Sequence, residues 1–298
     1  MAQALSTEQI QDILHGISIP PQPQVMVDLQ MEQLMPDCDL NKIAELISQD
    51  VGLSGSILKT VNSPYFKLSN TITSIQQAVN LLGISSVINL VNAHSIRGAL
   101  SDDDIINLGR FWDNAIEIAQ TSAMIAKQIG YPNPDEAYTL GLFHNAGIPL
   151  LLSRNKGYMD VVEESYAREN DGITETENTL ISTNHAVVGY YVGKSWRLPP
   201  YICEAIHEHH NTLKTLENER SNPTKKTLLA ILKMAEHCAA THWVLAKQQT
   251  DYEWLSIKEA VLIYVGLSDY DFETLKGQIE EMGIGSPEFG SPNFDEPI

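Results

Sequence analysis

Residues 112–129 read WDNAIEIAQTSAMIAKQI, and this stretch decides the fold class. Its apolar residues recur with the three- and four-residue spacing of one helix face, and a glycine at 130 and a proline at 132 follow the run. The apolar set is Ala115, Ile116, Ala119, Met124, Ile125 and Ile129. The stretch therefore predicts an amphipathic helix that ends at Gly130.

The same helical spacing recurs along most of the chain, whereas alternation of strand length with hairpin turns is not found. Capping boxes predict two further helices, one from Ser74, paired with Gln77, to Gly83, and one from Thr174, paired with Glu177, through His185. Another helix is predicted to start at Pro134. Helical spacing predicts the remaining helices over 39–50, 200–210, 225–244, 256–265 and 272–282. We therefore expect an all-α protein.

Composition and charge narrow the class of protein. The chain has 298 residues, 43% of them hydrophobic, which indicates a packed fold. Lys and Arg number 19 against 38 Asp and Glu, a formal charge of −19, so general binding to nucleic acid or to an anionic membrane is disfavoured. We find neither a secretory signal nor a long apolar span, and three widely spaced cysteines fit reduced thiols. We expect a cytoplasmic protein.

Breaks in the helical pattern predict two lobes. Residues 101–109, which contain SDDD and Gly109, separate an N-terminal helical lobe (1–107) from a helical core (108–247). C-terminal helices (248–282) follow, and a tail (283–298) rich in Gly, Pro and Ser is expected to be flexible.

Histidines carry the main chemical signal, because six of the nine fall between His144 and His237. His207 and His210 are three residues apart and share a predicted helix face, from which His209 would point away. Glu236 is the one acid that the pattern places well for a metal site. An isolated helical histidine is more often a core or capping group than a ligand, and that interpretation is preferred for His15, His94, His237 and His242, which the pattern does not join to the cluster.

Motifs of other chemistries are missing from the sequence. It contains no glycine-rich phosphate loop and no GxSxG elbow. Cys238 is next to His237, but neighbours on a helix point in different directions, so nucleophilic catalysis has no good candidate.

Several segments in combination resemble the HDOD family, an HD-related output domain of bacterial signalling proteins and a relative of the HD and HD-GYP metal-dependent phosphohydrolases. The resemblance runs from about residue 17 to about residue 239. Its landmarks are IPPQPQV (19–25), ISQDVGLSGSILKTVNSPYF (47–66), ITSIQQAVNLLG (72–83), FW (111–112), EAYTLGLFHNAG (136–147), HAVVG (185–189) and WRLPPYICEAIHEHH (196–210). It implies an HD-type helical core in the second lobe.

The resemblance also implies a pocket and shows where it has changed. The active HD-GYP relatives place a first His, a His-Asp doublet, a further His, a His pair and a late Asp around two metal ions. These fall on Asn114, on His144 and Asn145, on His185, on His209 and His210, and on Glu236. Two ligands are thus replaced by asparagine, and a neutral amide is a poor substitute for a bridging carboxylate. A pocket without metal is the favoured interpretation, and a single Zn, Fe or Mn ion on His185, His209, His210 and Glu236 stays open as the alternative.

Three functions follow from this resemblance. A non-catalytic signalling module is favoured, one that binds a protein or a small ligand at the relic pocket and responds to signalling partners in trans. The alternative is a metal-dependent phosphohydrolase acting on a nucleotide or phosphodiester. A third, weaker option is a ligand sensor that changes the angle between the lobes at residues 102–109.

Overall fold

The structure, a computed structural model, describes residues 24–98, 108–169 and 172–285, together with Ile17. The described residues before position 99 contain four α-helices: α1 (Gln24–Gln33), α2 (Leu40–Ser48), α3 (Val51–Val61) and α4 (Ile75–Gly98). Asp39 and Asp50 cap the second and third, since their side chains accept hydrogen bonds from backbone amides of the first helical turn. These helices pack on one another and form the N-terminal layer.

Twelve α-helices follow in the described part of the chain. They are α5 (Gly109–Gln128), α6 (Pro134–Phe143), α7 (Gly147–Arg154), α8 (Tyr158–Ala167), α9 (Ile173–Ile181), α10 (His185–Ser195), α11 (Pro200–Glu208), α12 (Thr212–Glu217), α13 (Pro223–Cys238), α14 (Thr241–Ala246), α15 (Tyr252–Val265) and α16 (Asp269–Glu280). Short 3₁₀ turns lie at Pro64–Phe66 and His209–Asn211. No strand occurs among the described residues, so the all-α prediction is confirmed.

Helix α13 lies at the centre of the larger layer. It contacts α5, α6, α11 and α15, and its apolar residues from Leu228 to Ala235 are almost fully buried. A helix that is apolar on nearly all sides is typical of such a central position. Two charged residues on it, Lys233 and Glu236, are buried as well, 3% and 6% exposed. Buried charges of this kind need partners, which the site below supplies.

Two glycines that flank His144 allow the closest helix contacts. A Cβ atom on Gly141 would lie 2.8 Å from the Cα of Ala119, so α6 packs backbone against backbone on α5. A Cβ atom on Gly147 would lie 2.1 Å from the carbonyl oxygen of His185, so the start of α7 presses directly on α10. The small residues around His144 therefore bring α5 and α10 towards the same centre.

The two layers meet across buried polar contacts. Asn89 on α4 donates its side-chain amide to Thr139 on α6 at 2.6 Å. Gln120 on α5 donates to the hydroxyl of Ser63 at 2.8 Å. The predicted lobe boundary itself cannot be located, because residues 101–107 lie outside the described residues.

The structure bears on several predicted helix ends. The helical run expected to end at Gly83 does break there, because that residue has the non-helical angles φ 75° and ψ 162°, and a second helical segment follows across the kink within α4. The helix expected over 225–244 is divided, because Ala240 adopts a left-handed conformation between α13 and α14. Likewise, the chain stays packed beyond the predicted start of the tail, since Ile284 is buried. Residues 286–298 of that tail lie outside the described residues.

The cysteines and the hydropathy of the helices can be compared with the sequence analysis in the described part of the chain. Cys203 and Cys238 are buried, Cys38 is exposed, and none forms a disulfide. None of the described helices combines the length and the hydropathy needed to cross a membrane.

Candidate metal centre

His185 is the first residue of helix α10, and the loop before it sets its position. The sequence predicts one helix through His185, but Ser182 is left-handed, with a φ of 60°, and ends α9. Asn184 then caps the new helix, since its side-chain oxygen accepts from the Val187 amide at 2.9 Å. His185 thus lies at a helix start, buried to 1% exposure, where its ring can point inward.

His209 and His210 follow the end of helix α11. The sequence pattern pairs His207 with His210 on one helix face, and this is wrong because α11 ends at Glu208 and a 3₁₀ turn follows. The tighter turn brings the rings of His209 and His210 together, with centroids 4.0 Å apart. His207 lies elsewhere, beside the ring of Tyr190.

The three histidines present the same ring nitrogen to one point. The Nε2 atom of His185 lies 3.2 Å from Nε2 of His209 and 3.0 Å from Nε2 of His210. Among the described residues, this trio is the group of His, Cys, Asp or Glu whose donor atoms are close enough together to share a metal ion. The predicted ligand Glu236 is not part of that trio.

The other ring nitrogen of each histidine faces a hydrogen-bond acceptor. Nδ1 of His185 donates to the Glu177 carboxylate at 2.8 Å, and Nδ1 of His209 donates to the carbonyl of Ile206 at 2.6 Å. Nδ1 of His210 donates to Glu253 at 2.9 Å. A neutral imidazole carries a proton on only one nitrogen, so three neutral rings that donate through Nδ1 would direct the lone pairs of their Nε2 atoms at one another. Three lone pairs at about 3 Å repel unless a cation lies between them, and this is the arrangement that metal-binding histidines adopt.

Glu177 is the central support of this arrangement. Its carboxylate, fully buried, accepts from Nδ1 and from the backbone amide of His185 and from the hydroxyl of Tyr158. Burial alone would raise its pKa, but the neighbouring His185 together with these hydrogen bonds holds the pKa of Glu177 below its usual range. The predicted Thr174–Glu177 capping box is therefore wrong, because Glu177 faces inward to the site and α9 has no side-chain cap.

The pKa values of His209 and His210 can be measured in the metal-free protein. Burial, reinforced by neighbouring positive groups, lowers the pKa of His209 and of His210 well below the usual value of about 6.5. Both rings should therefore stay neutral at pH 6, where a solvated imidazole is mostly protonated. Nitrogen-15 NMR of the imidazoles during a pH titration checks this, and midpoints at 6.5 or above for these two rings would contradict it.

The same shift has a consequence for stability. Below pH 6.5 the unfolded chain takes up protons on these two histidines while the folded chain does not. The free energy of unfolding of the metal-free protein should therefore decrease as the pH is lowered below 6.5. Urea unfolding at pH 7.5 and pH 5.5 measures the difference.

The remaining residues of the predicted pocket lie beside the trio. His144 is buried, and its ring centroid lies 5.3 Å from that of His209. Its Nδ1 donates to the Gly141 carbonyl at 2.8 Å, and its Nε2 faces Glu236 at 3.3 Å. Asn145 is buried, and its side-chain oxygen has no hydrogen-bond partner. Asn114 donates its side-chain amide to the Ala239 carbonyl at 2.8 Å, which fixes it as a structural contact between α5 and the end of α13.

A buried lysine connects two carboxylates at this site. The ammonium of Lys233 lies 2.8 Å from Glu236 and 3.0 Å from Glu253. Burial would lower its pKa, but the two carboxylates raise the pKa of Lys233 above its usual value, so the group is charged. Burial would raise the pKa of Glu236, but Lys233 and His144 lower this pKa below its usual value.

Sequence reasoning missed three of the charged groups around the histidines. Carboxylates near the pocket are not scarce, because Glu177 and Glu253 both contact the trio. Lys233 was also missed, since it stands in an otherwise apolar run. One signal was available: Lys233 and Glu236 are three residues apart in the centre of an apolar helix, where only paired charges are tolerated.

A cleft leads from the surface to the metal-binding trio. Its volume is about 450 Å³, and its wall includes His210, Glu253, Tyr166 and Lys214. His237 and His242, which were expected to be core or capping groups, lie beside it and face Asp251 at 2.9 and 3.5 Å. His210 lines this cleft although its imidazole is almost fully buried, as are those of His185 and His209.

Comparison with solved structures shows the same fold in bacterial proteins. An HDOD domain protein of unknown function from Geobacter sulfurreducens is 21% identical, with a TM-score of 0.64 over 91% of this chain and 92% of that one. A protein from Shewanella amazonensis described as a candidate phosphohydrolase is 23% identical, with a TM-score of 0.64 over 93% and 94% of the two chains. A candidate signal transduction protein from Marinobacter aquaeolei is 19% identical, with a TM-score of 0.61 over 94% and 60%.

Sequence comparison gives the family. An uncharacterized protein of Treponema pallidum (strain Nichols) is 28% identical over 198 residues, 65% of this chain and 38% of that protein. The uncharacterized protein YuxH of Bacillus subtilis (strain 168) is 29% identical over 110 residues, 35% of this chain and 25% of that protein. The chain thus spans well under half the length of either curated relative. The profile of the HDOD domain matches residues 19–212, about two thirds of the sequence. This chain therefore belongs to the HDOD domain family.

Proposed function

We propose that this protein is a signalling module whose HD-type site binds one divalent metal ion on His185, His209 and His210, and that it is not a dinuclear phosphohydrolase. The single observation that carries the proposal is the convergence of three Nε2 atoms, each on a ring whose Nδ1 faces an acceptor. While each Nδ1 donates to its acceptor, three neutral rings have no proton left to place between their Nε2 atoms, and one cation there relieves the repulsion of the lone pairs.

The donor set fits a single first-row ion. Three imidazole nitrogens are the protein ligands of many zinc sites, and they also suit iron and manganese. Glu177 and Glu253 fix two of the rings and make them better donors. Such an ion supplies Lewis acidity and a fixed positive charge at the inner end of the cleft.

The side chains beside the trio argue against a second ion. Asn145 offers a neutral amide where the active relatives have a bridging carboxylate. Asn114 is engaged with a backbone carbonyl, and both oxygens of Glu236 face other groups, His144 and Lys233. The carboxylates of Glu177, Glu236 and Glu253 together with the ammonium of Lys233 have a formal charge of −2, which one divalent ion neutralises. A second ion would leave a buried excess of positive charge.

A single metal ion in this place links separate parts of the fold. It would join the start of α10 to the turn after α11, and Glu253 extends the connection to α15. His210 lines the cleft, so a ligand or a partner's side chain that enters there contacts the same network. We propose that signalling partners act on the protein in trans. The fold shared with the Marinobacter signal transduction protein supports this role.

A hydrolysis assay separates this function from the enzymatic alternative. Full-length protein loaded with zinc, manganese or iron is incubated with p-nitrophenyl phosphate and with bis(p-nitrophenyl) phosphate. We expect no hydrolysis above that of the free metal. Metal-dependent turnover that disappears in His210→Ala would contradict the proposal and establish the phosphohydrolase, which the cleft lined in part by His210 favours as the second candidate.

A further inference from the structure

We infer that the ammonium of Lys233 serves as the second cation of this site and thereby limits the protein to one metal ion. The inference rests on the proposed metal centre and adds the residue that sets its stoichiometry. It follows from what Lys233 contacts, how deeply it is buried and which carboxylates it neutralises.

The position of Lys233 places it between the two halves of the pocket. Its ammonium contacts Glu253, whose same Oε1 atom accepts from Nδ1 of His210, a member of the trio. On the other side it contacts Oε2 of Glu236, whose Oε1 faces His144. Lys233 is thus one carboxylate away from the metal-binding trio and one carboxylate away from His144. A divalent ion bound by Glu236 and Glu253 would need the same oxygen atoms.

A metal ion bound by Glu236 and Glu253 and the ammonium of Lys233 exclude each other electrostatically. The ammonium is charged, because Glu236 and Glu253 overcome the effect of burial on its pKa. Like charges within a few ångströms repel strongly where water is excluded. A metal ion at Glu236 and Glu253 would therefore have to displace or deprotonate Lys233, whereas an ion on the three Nε2 atoms is separated from it by a carboxylate.

Packing alone does not account for a lysine here. An apolar side chain on α13 would avoid the desolvation of an ammonium and of two carboxylates, and buried ion pairs are often no more stabilising than apolar replacements. The same helix provides a comparison in Lys225, which is 6% exposed and lies 3.2 and 2.9 Å from Glu204 and Glu208. None of the contacts found for those two carboxylates is with a histidine, so Lys225 is a matched buried lysine without a role in the site.

The test counts metal ions per chain by elemental analysis after incubation with excess manganese or zinc and desalting. Four full-length proteins are compared with the unmodified chain: Lys233→Met, Asn145→Asp, the double variant, and Lys225→Met as control. We expect one ion in the unmodified chain, in Lys225→Met and in Asn145→Asp. We expect two in the double variant, because the substitution of Asn145 would restore the bridging carboxylate while Glu236 and Glu253 become free.

The outcomes distinguish the inference from the proposed function. One ion in the unmodified chain and one in the folded double variant would overturn the role of Lys233 and leave the metal centre intact. Two ions in Asn145→Asp with Lys233 present would also overturn it. No ion in the unmodified chain would overturn both. Should the Lys233→Met proteins fail to fold by circular dichroism, Lys233→Arg combined with Asn145→Asp decides the matter: one ion is expected, since the cation is kept, and two would refute the inference.

Discussion

Replacing Gly147 with alanine is expected to destabilise the protein by at least about 3 kcal/mol, the upper end of overpacking effects. The new Cβ atom would lie 2.1 Å from the carbonyl oxygen of His185 and 3.0 Å from the backbone nitrogen of Gly189. Both contacts are with backbone, so no side chain can move aside and helices α7 and α10 must separate. Urea unfolding measures the loss, and metal analysis should show weaker binding because His185 moves with α10.

Gly277 provides the matched control for this substitution. It lies within helix α16, and a Cβ atom there would meet nothing within 4 Å. Gly277→Ala should therefore stabilise the protein slightly, by up to about 1 kcal/mol, because alanine is the better helix former. If Gly147→Ala were as stable as the unmodified protein, the close packing of α7 against His185 would be wrong.

Glu177→Gln is expected to weaken metal binding by about 10- to 100-fold, the usual effect of losing a carboxylate behind a histidine ligand. Glutamine keeps the size of the side chain but removes the charge. One oxygen and one amide group then replace two acceptor oxygens that serve His185 and Tyr158. Competition titration with a chromogenic chelator measures the dissociation constant of the ion.

The control for that experiment lies two residues away on the same helix. Glu175 is exposed, so Glu175→Gln changes the net charge by the same amount without reaching the trio. It should leave the metal dissociation constant unchanged within about a factor of two, because exposed charges at a distance are screened by salt. Equal effects of the two substitutions would show that Glu177 acts through general charge alone.

The all-α fold could be predicted because short segments such as 112–129 show helical periodicity in their apolar residues. Helix ends were less predictable where a left-handed residue was not a glycine. Ser182 and Ala240 both have positive φ angles, imposed by the packing around them, and neither residue type signals a break. The two helices predicted across them were therefore too long.

The site was predictable only in part. The resemblance to HD proteins named His185, His209 and His210, and their Nε2 atoms do converge. Their carboxylate partners could not be found in the same way, because Glu177 comes from α9 in the middle of the core sequence and Glu253 from α15 beyond its end. Glu177 looked like a capping residue, and only tertiary packing turns it inward. Glu236 was correctly placed in the pocket region, but its neighbour Lys233 determines what it contacts.

The most direct measurement is the metal content of the untagged protein, purified without chelator or nickel resin, incubated separately with zinc, manganese and iron, and desalted. The convergence of the three Nε2 atoms predicts close to one ion per chain for at least one of these metals, and its loss in His185→Ala. A content near zero with all three metals would contradict the metal centre, and with it the function proposed for this protein.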